Sequence, residues 1–263
     1  MAELDGKVSV VTGASRGVGK GVALGLAEAG ASVYATGRTV SEETFAGEGR
    51  IRPIRCDHRE DGEVETLFRR VFDERGHLDV LVNNVWGGYE RMVEGGEFTW
   101  TRPFWEQPVW RWDAMFTAGV RAHYVASRHA ARQMVEQRGG LIVNISFWAA
   151  QKHVGNVAYG VSKAATDKLT ADMAHELRRY GVAVISLYPG LVRTEAVMQA
   201  AAFLDLSNSE SPQFIGRAVA ALASDPNVLE KSGRALVAAA LAEEYGFADV
   251  DGKRPRPLTL EEV

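Results

Sequence analysis

The sequence predicts an α/β fold class, a single doubly wound parallel sheet of about seven strands with helices on both faces. Three observations predict it. Short apolar stretches alternate with longer stretches of helical spacing. The strand-like stretches are apolar enough to be covered on both faces, as in parallel sheets. No shift in composition marks a boundary, so we expect one domain over residues 1–263.

Each predicted strand is a short apolar run that ends at a turn residue or at a change of spacing. The run KVSVVTG is typical, because it is rich in valine and ends in Thr-Gly. Pro53 cannot donate a backbone hydrogen bond, which favours a sheet edge for the third strand. In order, the predicted strands are residues 7–13, 32–38, 50–57, 78–84, 141–146, 182–190 and 234–239.

Apolar residues at helical spacing predict the helices between these strands. Val64, Leu67 and Phe68 fall on one face of the second helix. Ser211 is suited to cap the last helix, with Pro212 at its first position. The predicted helices are residues 17–31, 60–76, 110–140, 157–181 and 211–225.

Two segments interrupt this alternation. Residues 86–110 are rich in glycine and aromatic residues and follow the fourth strand, and residues 191–210 follow the sixth. Ligands of open α/β sheets bind outside the carboxyl ends of the strands. We therefore expect both segments to be insertions that form a substrate site.

Composition narrows the function class. The net charge is −4 and the arginines are scattered, which argues against a nucleic-acid partner. Cys56 is the only cysteine, so an internal disulfide or a cysteine metal cluster is excluded, and we expect no metal. The beginning of the sequence does not resemble a signal peptide, and no apolar run is long enough for a membrane segment. These features predict a cytoplasmic protein.

A glycine-rich turn joins the first strand to the first helix. It places Gly13, Gly17 and Gly19 in a Gly-x-x-x-Gly-x-Gly spacing. The free amides and the partial positive charge of a helix N-terminus attract a phosphate, and small residues allow its approach. The context predicts a dinucleotide site, with a plain tight turn as the alternative.

The end of the second strand bears on which dinucleotide is preferred. An NAD site usually has an acid there, whereas this sequence has Arg38 and Thr39, with Arg16 in the glycine loop. Guanidinium groups bind a 2′-phosphate through paired hydrogen bonds. We expect NADP(H) to be preferred over NAD(H), the alternative being that Arg38 is only a solvated charge.

Taken together, several motifs resemble those of the short-chain dehydrogenase/reductases, over most of the chain. They are Thr12-Gly13-Ala14-Ser15-Arg16-Gly17-Val18-Gly19, Asn83-Asn84, Ser146, Tyr159 with Lys163, and Pro189-Gly190 followed by Val192 and Thr194. The resemblance implies a Rossmann-like fold and an NADP(H)-dependent oxidoreductase that reduces a carbonyl compound.

The resemblance also implies a set of cofactor-binding residues. Asp57 would contact the adenine, Asn83 and Val85 would line the ribose, and Thr194 would bind the carboxamide. The full expected set is Gly13, Ser15, Arg16, Gly17, Val18, Gly19, Arg38, Thr39, Asp57, Asn83, Val85, Tyr159, Lys163, Pro189, Gly190, Val192 and Thr194.

Ser146, Tyr159 and Lys163 are the predicted catalytic residues. A carbonyl that accepts hydride becomes an alkoxide and needs a proton, which a phenol of ordinary pKa gives up reluctantly. An ammonium one helical turn away favours the phenolate, so we expect Lys163 to lower the pKa of Tyr159. Ser146 is expected to donate to the substrate oxygen and stabilise its developing charge.

The sequence departs from the family at two places. Gly119 stands where the family has an asparagine that holds a water in the proton path, and Val85-Trp86 replaces two small residues. Proton relay is therefore either impaired or carried by other groups. His123 is one candidate, although a local hydrogen bond is the favoured interpretation for it.

The aromatic residues of the first insertion, which include Trp100 and Trp105, favour a substrate lid over plain packing. Trp86, Trp148 and His153 are the predicted substrate residues. Such a pocket suits a bulky, apolar carbonyl or alcohol as the small-molecule partner.

Two other functions stay open at this point. One is a cofactor-binding sensor or scaffold with little turnover, which the substitution at Gly119 suggests. The other is an NAD-dependent alcohol dehydrogenase, which Arg16 and Arg38 argue against. The long helices predicted at 110–138 and 157–180 are apolar beyond one face, and the resemblance implies that they pair in a homodimer or homotetramer.

Overall fold

The structure, a computed structural model, describes residues 3–263. The strands are Val8–Thr12 (β1), Ser32–Gly37 (β2), Ile51–Arg55 (β3), Val80–Asn83 (β4), Val93–Glu94 (β5), Glu97–Phe98 (β6), Gly140–Ile145 (β7), Val182–Tyr188 (β8) and Ala235–Val237 (β9). The α-helices are Gly17–Glu28 (α1), Asp61–Arg75 (α2), Val109–Ala114 (α3), Ala122–Gln137 (α4), Val157–Leu177 (α5), Glu195–Gln199 (α6), Pro212–Ser224 (α7) and Ala238–Tyr245 (α8).

Seven strands form one parallel sheet in the order β3-β2-β1-β4-β7-β8-β9. The predicted fold class is confirmed, and β3, which contains Pro53, lies at an edge of the sheet as expected. The strand order reverses between β1 and β4. The carboxyl ends of these two strands therefore flank the crevice in which open α/β sheets bind their ligands.

Two hydrophobic cores cover the two faces of the sheet. Buried residues of α1, α7 and α8 pack against one face. Those of α2, α4 and α5 pack against the other face. The strands are buried on both sides, which explains their nearly continuous apolar sequence.

One predicted helix is interrupted, and several short elements, among them α6, were not predicted. The long helix predicted from residue 110 is interrupted, because a π-helical segment, Met115–Arg121, separates α3 from α4. The first insertion contains the small β5–β6 hairpin, and α8 follows directly after the last strand; neither was predicted. The Ser211 cap is confirmed, since its hydroxyl accepts the N–H of Phe214 at 3.1 Å.

Among residues 3–263, no helix combines the length and the hydropathy that crossing a membrane would require.

Candidate active site

The glycine-rich turn leaves the N-terminus of α1 accessible. Gly13 and Gly17 have φ angles of +67° and +55°, in the left-handed region. A Cβ at Gly19 would lie 2.3 Å from the carbonyl oxygen of Gly13 and from the side-chain nitrogen of Asn84. Only glycine fits this position, so the turn folds tightly enough for a phosphate to reach the backbone amides.

A carboxylate of the chain itself, that of Glu195, lies at the N-terminus of α1. The N–H of Gly17 donates to Oε2 of Glu195, the first residue of α6, at 3.0 Å. The methyl group of Thr194 lies 3.3 Å from where a Cβ at Gly17 would be. The positive end of the helix dipole thus favours an oxyanion at this site. The residues of the site fit the phosphates of a dinucleotide.

The two asparagines after β4 have different roles. Asn83 is fully buried, and its side-chain amide donates to Ser127 Oγ at 2.9 Å and to Asn144 Oδ1 at 2.8 Å. The side chain is thus held within the sheet, and the expected contact of Asn83 with the ribose stays a prediction. The neighbouring Asn84 donates to the carbonyl oxygens of Thr12 and Gly13 at 3.1 and 3.0 Å.

Asn84 is therefore a site residue that was recognised in the motif but given no role. Its side chain braces the glycine-rich turn from the adjacent strand end. The signal that could have found it is the position of Asn84 directly after β4, next to β1 in the sheet.

Arg16 and Arg38, the side chains expected to bind a 2′-phosphate, are both exposed. Arg16 is the N-cap residue of α1 and Arg38 follows β2; among the described residues neither forms an ion pair. Asp57 is bound by the Arg59 guanidinium, which lowers the pKa of the carboxyl to about 2, with a smaller contribution from Arg38. The guanidinium groups of Arg16, after β1, and Arg38, after β2, are thus available to an anion.

The other predicted cofactor residues follow the carboxyl ends of neighbouring parallel strands. Val192 is buried and pairs with Glu210 in an isolated bridge. Ser15, Val18, Thr39, Val85, Pro189 and Gly190 come directly after β1, β2, β4 and β8, or within the first turn of α1. Adjacent strand ends meet at one edge, so these residues border one crevice.

The three predicted catalytic residues come together in the structure. Ser146 follows β7, while Tyr159 and Lys163 lie one turn apart on α5. Ser146 Oγ donates to the carbonyl oxygen of Lys163 at 3.5 Å, and Lys163 Nζ donates to the carbonyl oxygen of Ile145 at 3.2 Å. Asn156 caps α5 by accepting the N–H of Tyr159 at 3.0 Å, which fixes the position of the tyrosine in the first turn of the helix.

Aromatic rings surround the Tyr159 phenol. The ring centroids of Trp100, Trp86, Tyr89 and Phe147 lie 5.4, 5.8, 6.0 and 6.2 Å from that of Tyr159. These rings leave only 8% of Tyr159 exposed. The walls of the cleft are thus mostly apolar around the Tyr159 hydroxyl, with the Tyr89 hydroxyl beside it. Tyr89 is a wall residue that the sequence did not reveal.

Burial shifts the pKa values of both Tyr159 and Lys163. Burial raises the pKa of Tyr159 well above its ordinary value, and the neighbouring Tyr89 acts in the same direction. Burial also lowers the pKa of Lys163 to about 7, while the charge of Asp167 opposes this. The direction of the Tyr159 shift is opposite to the lowering expected from Lys163, because burial is the largest cause of the shift and Lys163 is not among the groups that cause it.

Gly119 lies in the π-helical segment, against the indole of Trp86. A Cβ at Gly119 would be 2.7 Å from Cζ3 of that ring. His123 is buried, its Nε2 donates to the carbonyl oxygen of Val85 at 3.0 Å, and burial lowers its pKa to about 3. His123 is thus held by a hydrogen bond, but its partner follows β4 and is not local in sequence.

The predicted lid is held by one buried cation. The guanidinium of Arg111 donates to the carbonyl oxygens of Arg91 and Thr99, at 2.8 and 3.2 Å, and lies 5.8 Å from the Trp100 ring. Trp100 is buried, whereas Trp105 is 73% exposed. The first insertion is thus tied down beside Tyr159, and only part of its aromatic sequence lines the site.

The two remaining predicted substrate residues lie between β7 and α5. Trp148 packs edge-on against Tyr188, with centroids 5.2 Å apart. His153 is exposed. A direct role in substrate contact stays a prediction for both.

Comparison with known proteins agrees with this geometry. The model of the short chain dehydrogenase family matches residues 7–205. The chain is 44% identical over 273 residues to dehydrogenase/reductase SDR family member 1 of Mus musculus, which covers 96% of this chain and 86% of the relative. It is 31% identical over 202 residues to the 7alpha-hydroxysteroid dehydrogenase of Escherichia coli strain K12, with 74% of each covered.

A solved structure extends the similarity to three dimensions. The 7 alpha-hydroxysteroid dehydrogenase complexed with NADH and 7-oxo glycochenodeoxycholic acid superposes with a TM-score of 0.76 at 26% identity, over 89% of this chain and 93% of that one. The matched residues contain the glycine-rich turn, Ser146, Tyr159 and Lys163. The chain therefore belongs to the short-chain dehydrogenase/reductase family of oxidoreductases.

Proposed function

We propose that this protein is an NADPH-dependent reductase that converts the carbonyl group of a bulky, apolar compound to an alcohol, reversibly. The observation that supports it is the grouping of Ser146, Tyr159 and Lys163 in a cleft walled by aromatic rings, beside an anion-binding helix N-terminus. Such a grouping suits an acid that acts in an apolar environment.

When bound, NADPH would supply the hydride that the carbonyl carbon accepts. The hydroxyl of Tyr159 gives its proton to the carbonyl oxygen, so the C=O bond becomes CH–OH. The hydroxyl of Ser146 donates a hydrogen bond to the same oxygen. The ammonium of Lys163 stabilises the phenolate that Tyr159 becomes.

The aromatic walls support a bulky apolar substrate. Rings of Trp86, Tyr89, Trp100 and Phe147 surround the phenol, and they offer area for burial but few polar partners. The similar hydroxysteroid dehydrogenase is complexed with 7-oxo glycochenodeoxycholic acid. We propose ketones, aldehydes or quinones with fused or aromatic rings as the substrate class.

A substrate panel tests this function. Purified protein with NADPH and a set of ketones, aldehydes and quinones is followed by the loss of NADPH absorbance. We expect turnover with large apolar carbonyl compounds and little with small polar ones. Tight NADPH binding without turnover on any compound would instead support a sensor or scaffold.

Reversing the charge at Arg38 tests the cofactor preference. In Arg38→Asp, an exposed guanidinium at the expected 2′-phosphate position becomes a carboxylate that repels phosphate. We expect the Kd for NADPH to rise about 30-fold, and the Kd for NADH to change by less than about threefold. Fluorescence titration of the reduced cofactors measures both.

Arg128→Asp makes an equal charge change at an exposed position of α4. It is the matched control and should leave both Kd values unchanged. Tighter binding of NADH than of NADPH by the unaltered protein would overturn the preference and favour an NAD-dependent alcohol dehydrogenase.

Glu195 provides a second test of the dinucleotide site. Its carboxylate accepts the Gly17 N–H, so it occupies the place proposed for the cofactor phosphates. In Glu195→Gln the negative charge is removed, and we expect the Kd for NADPH to fall about threefold. The exposed Glu136→Gln on α4 should have no effect. Weaker binding in Glu195→Gln would mean that the phosphates lie elsewhere.

A further inference from the structure

Trp86 and Gly119 share one packing site. Trp86 follows β4, and Gly119 lies in the π-helical segment between α3 and α4. A Cβ at Gly119 would be 2.7 and 2.8 Å from Cζ3 and Cε3 of the indole, closer than carbon atoms approach in proteins. The observed position of the indole is thus available only when residue 119 is glycine.

The face of this indole covers the ammonium of Lys163. Lys163 Nζ lies 3.9 Å from the centroid of the Trp86 ring, and 5% of the lysine is exposed. Its polar contact is the carbonyl oxygen of Ile145, at 3.2 Å. A cation over an indole face is attracted by the negative potential of the ring, most strongly where water is excluded.

The other groups that face this ammonium hold it less directly. Among the described residues, no carboxylate forms an ion pair with Lys163. Asp167 acts on it through space, while its carboxylate accepts the Tyr188 hydroxyl. Tyr159 is protonated because burial raises its pKa, and His123 is neutral because burial lowers its pKa to about 3.

We propose that Trp86 is a positioning residue for Lys163, and that its indole holds the ammonium beside Tyr159 in the space that Gly119 leaves open. The two departures from the family pattern, at residues 86 and 119, then depend on each other, because the indole needs the space that glycine leaves. The ring occupies the space that a side chain at 119 would need, and its face contacts the lysine. The consequence for catalysis rests on the proposed function, whereas the contact itself does not.

Acetylation of Lys163 tests the contact without turnover. The cofactor-free protein is labelled with acetic anhydride across a pH range, and mass spectrometry of the Lys163 peptide gives the titration midpoint of that amine. Burial lowers the pKa of Lys163 to about 7. In Trp86→Ala water replaces the ring. Hydration favours the ammonium more than the ring face does, so we expect the midpoint to rise by about one pH unit or more. Trp86→Phe keeps a ring face and should stay near the original midpoint.

Gly119→Ala supplies an independent route to the same result. Its methyl group would displace the indole, so the midpoint should rise as in Trp86→Ala. With Trp86 already replaced by alanine, adding Gly119→Ala should cause no further shift, because the two changes remove one contact. Trp112→Ala and Gly62→Ala are the matched controls, since Trp112 stacks on Phe116 and nothing lies within 4 Å of a Cβ at Gly62.

An unchanged midpoint in both Trp86→Ala and Gly119→Ala would overturn the proposal. So would a Gly119→Ala shift that persists without Trp86. If Trp86→Ala does not fold, the Lys163 titration midpoints of Gly119→Ala and Trp86→Phe still test the proposal. Because the titration needs no substrate, a failure of the proposed reductase activity would be seen separately, in the NADPH assay.

Discussion

Replacing Tyr159 by phenylalanine is expected to lower kcat/KM for carbonyl reduction by about 1,000-fold. The change removes one oxygen and keeps the ring that packs between Trp86 and Trp100. The substrate alkoxide then lacks its proton donor in a cleft from which aromatic rings exclude water. NADPH consumption with the best carbonyl compound of the panel measures the loss.

The matched control removes a hydroxyl from the adjacent ring. Tyr89 lies 6.0 Å from Tyr159, centroid to centroid, and 46% of Tyr89 is exposed. Tyr89→Phe should change kcat/KM by less than about tenfold, because Tyr89 does not give up the proton. Both variants should bind NADPH with an unchanged Kd. Full activity in Tyr159→Phe would remove the basis of the proposed mechanism.

The raised pKa of Tyr159 is compatible with the role as an acid that we propose for this residue. Burial among four aromatic rings keeps the phenol protonated at neutral pH, so the proton is present when the substrate arrives. The cost of forming the phenolate must then be offset at the moment of transfer. Lys163 is placed for this, but burial lowers its pKa to about 7, so its own charge depends on what surrounds it. Contacts that favour the ammonium therefore matter more here than the helical spacing alone suggested.

Local patterns allowed most of the fold to be predicted. Parallel strands buried on both faces have continuous apolar sequences, and β1, β7 and β8 were found within one or two residues for this reason. The π-helical segment Met115–Arg121 has no such signature, because it depends on what packs against it, here the Trp86 indole at Gly119. The short helix α8 was missed because it follows β9 without a turn residue between them.

The candidate site was predictable only where the chemistry is local. Tyr159 and Lys163 share one helix, so their proximity follows from the helical repeat. By contrast, the contacts of Tyr89 with Tyr159 and of Glu195 with Gly17 join segments far apart in sequence. Loop packing decides these contacts, and spacing in the sequence contains no information about it. The buried role of Asn83 likewise depends on Ser127 and Asn144, which sequence motifs do not connect to it.

Replacing Gly21 by alanine is expected to lower the free energy of unfolding by about 3 kcal/mol. Gly21 lies in α1, where that helix crosses α7. A Cβ at this position would lie 2.1 Å from the backbone carbonyl carbon of Pro212, and 2.3 Å from its oxygen. A flexible side chain could move aside, but here the obstacle is backbone at the start of a helix. The two helices must separate, and the core that they share on one face of the sheet loses its close packing.

Urea unfolding followed by circular dichroism measures this loss. Gly62→Ala is the matched control, because Gly62 is also helical, in α2, and nothing lies within 4 Å of the added Cβ. It should be neutral or more stable by about 0.5 kcal/mol, as expected when an unobstructed helical glycine becomes alanine. Equal stability of both variants would show that α1 and α7 are not in close contact. Because α1 carries the anion-binding N-terminus, separation of the helices should also weaken NADPH binding in Gly21→Ala, and Gly62→Ala should leave it unchanged.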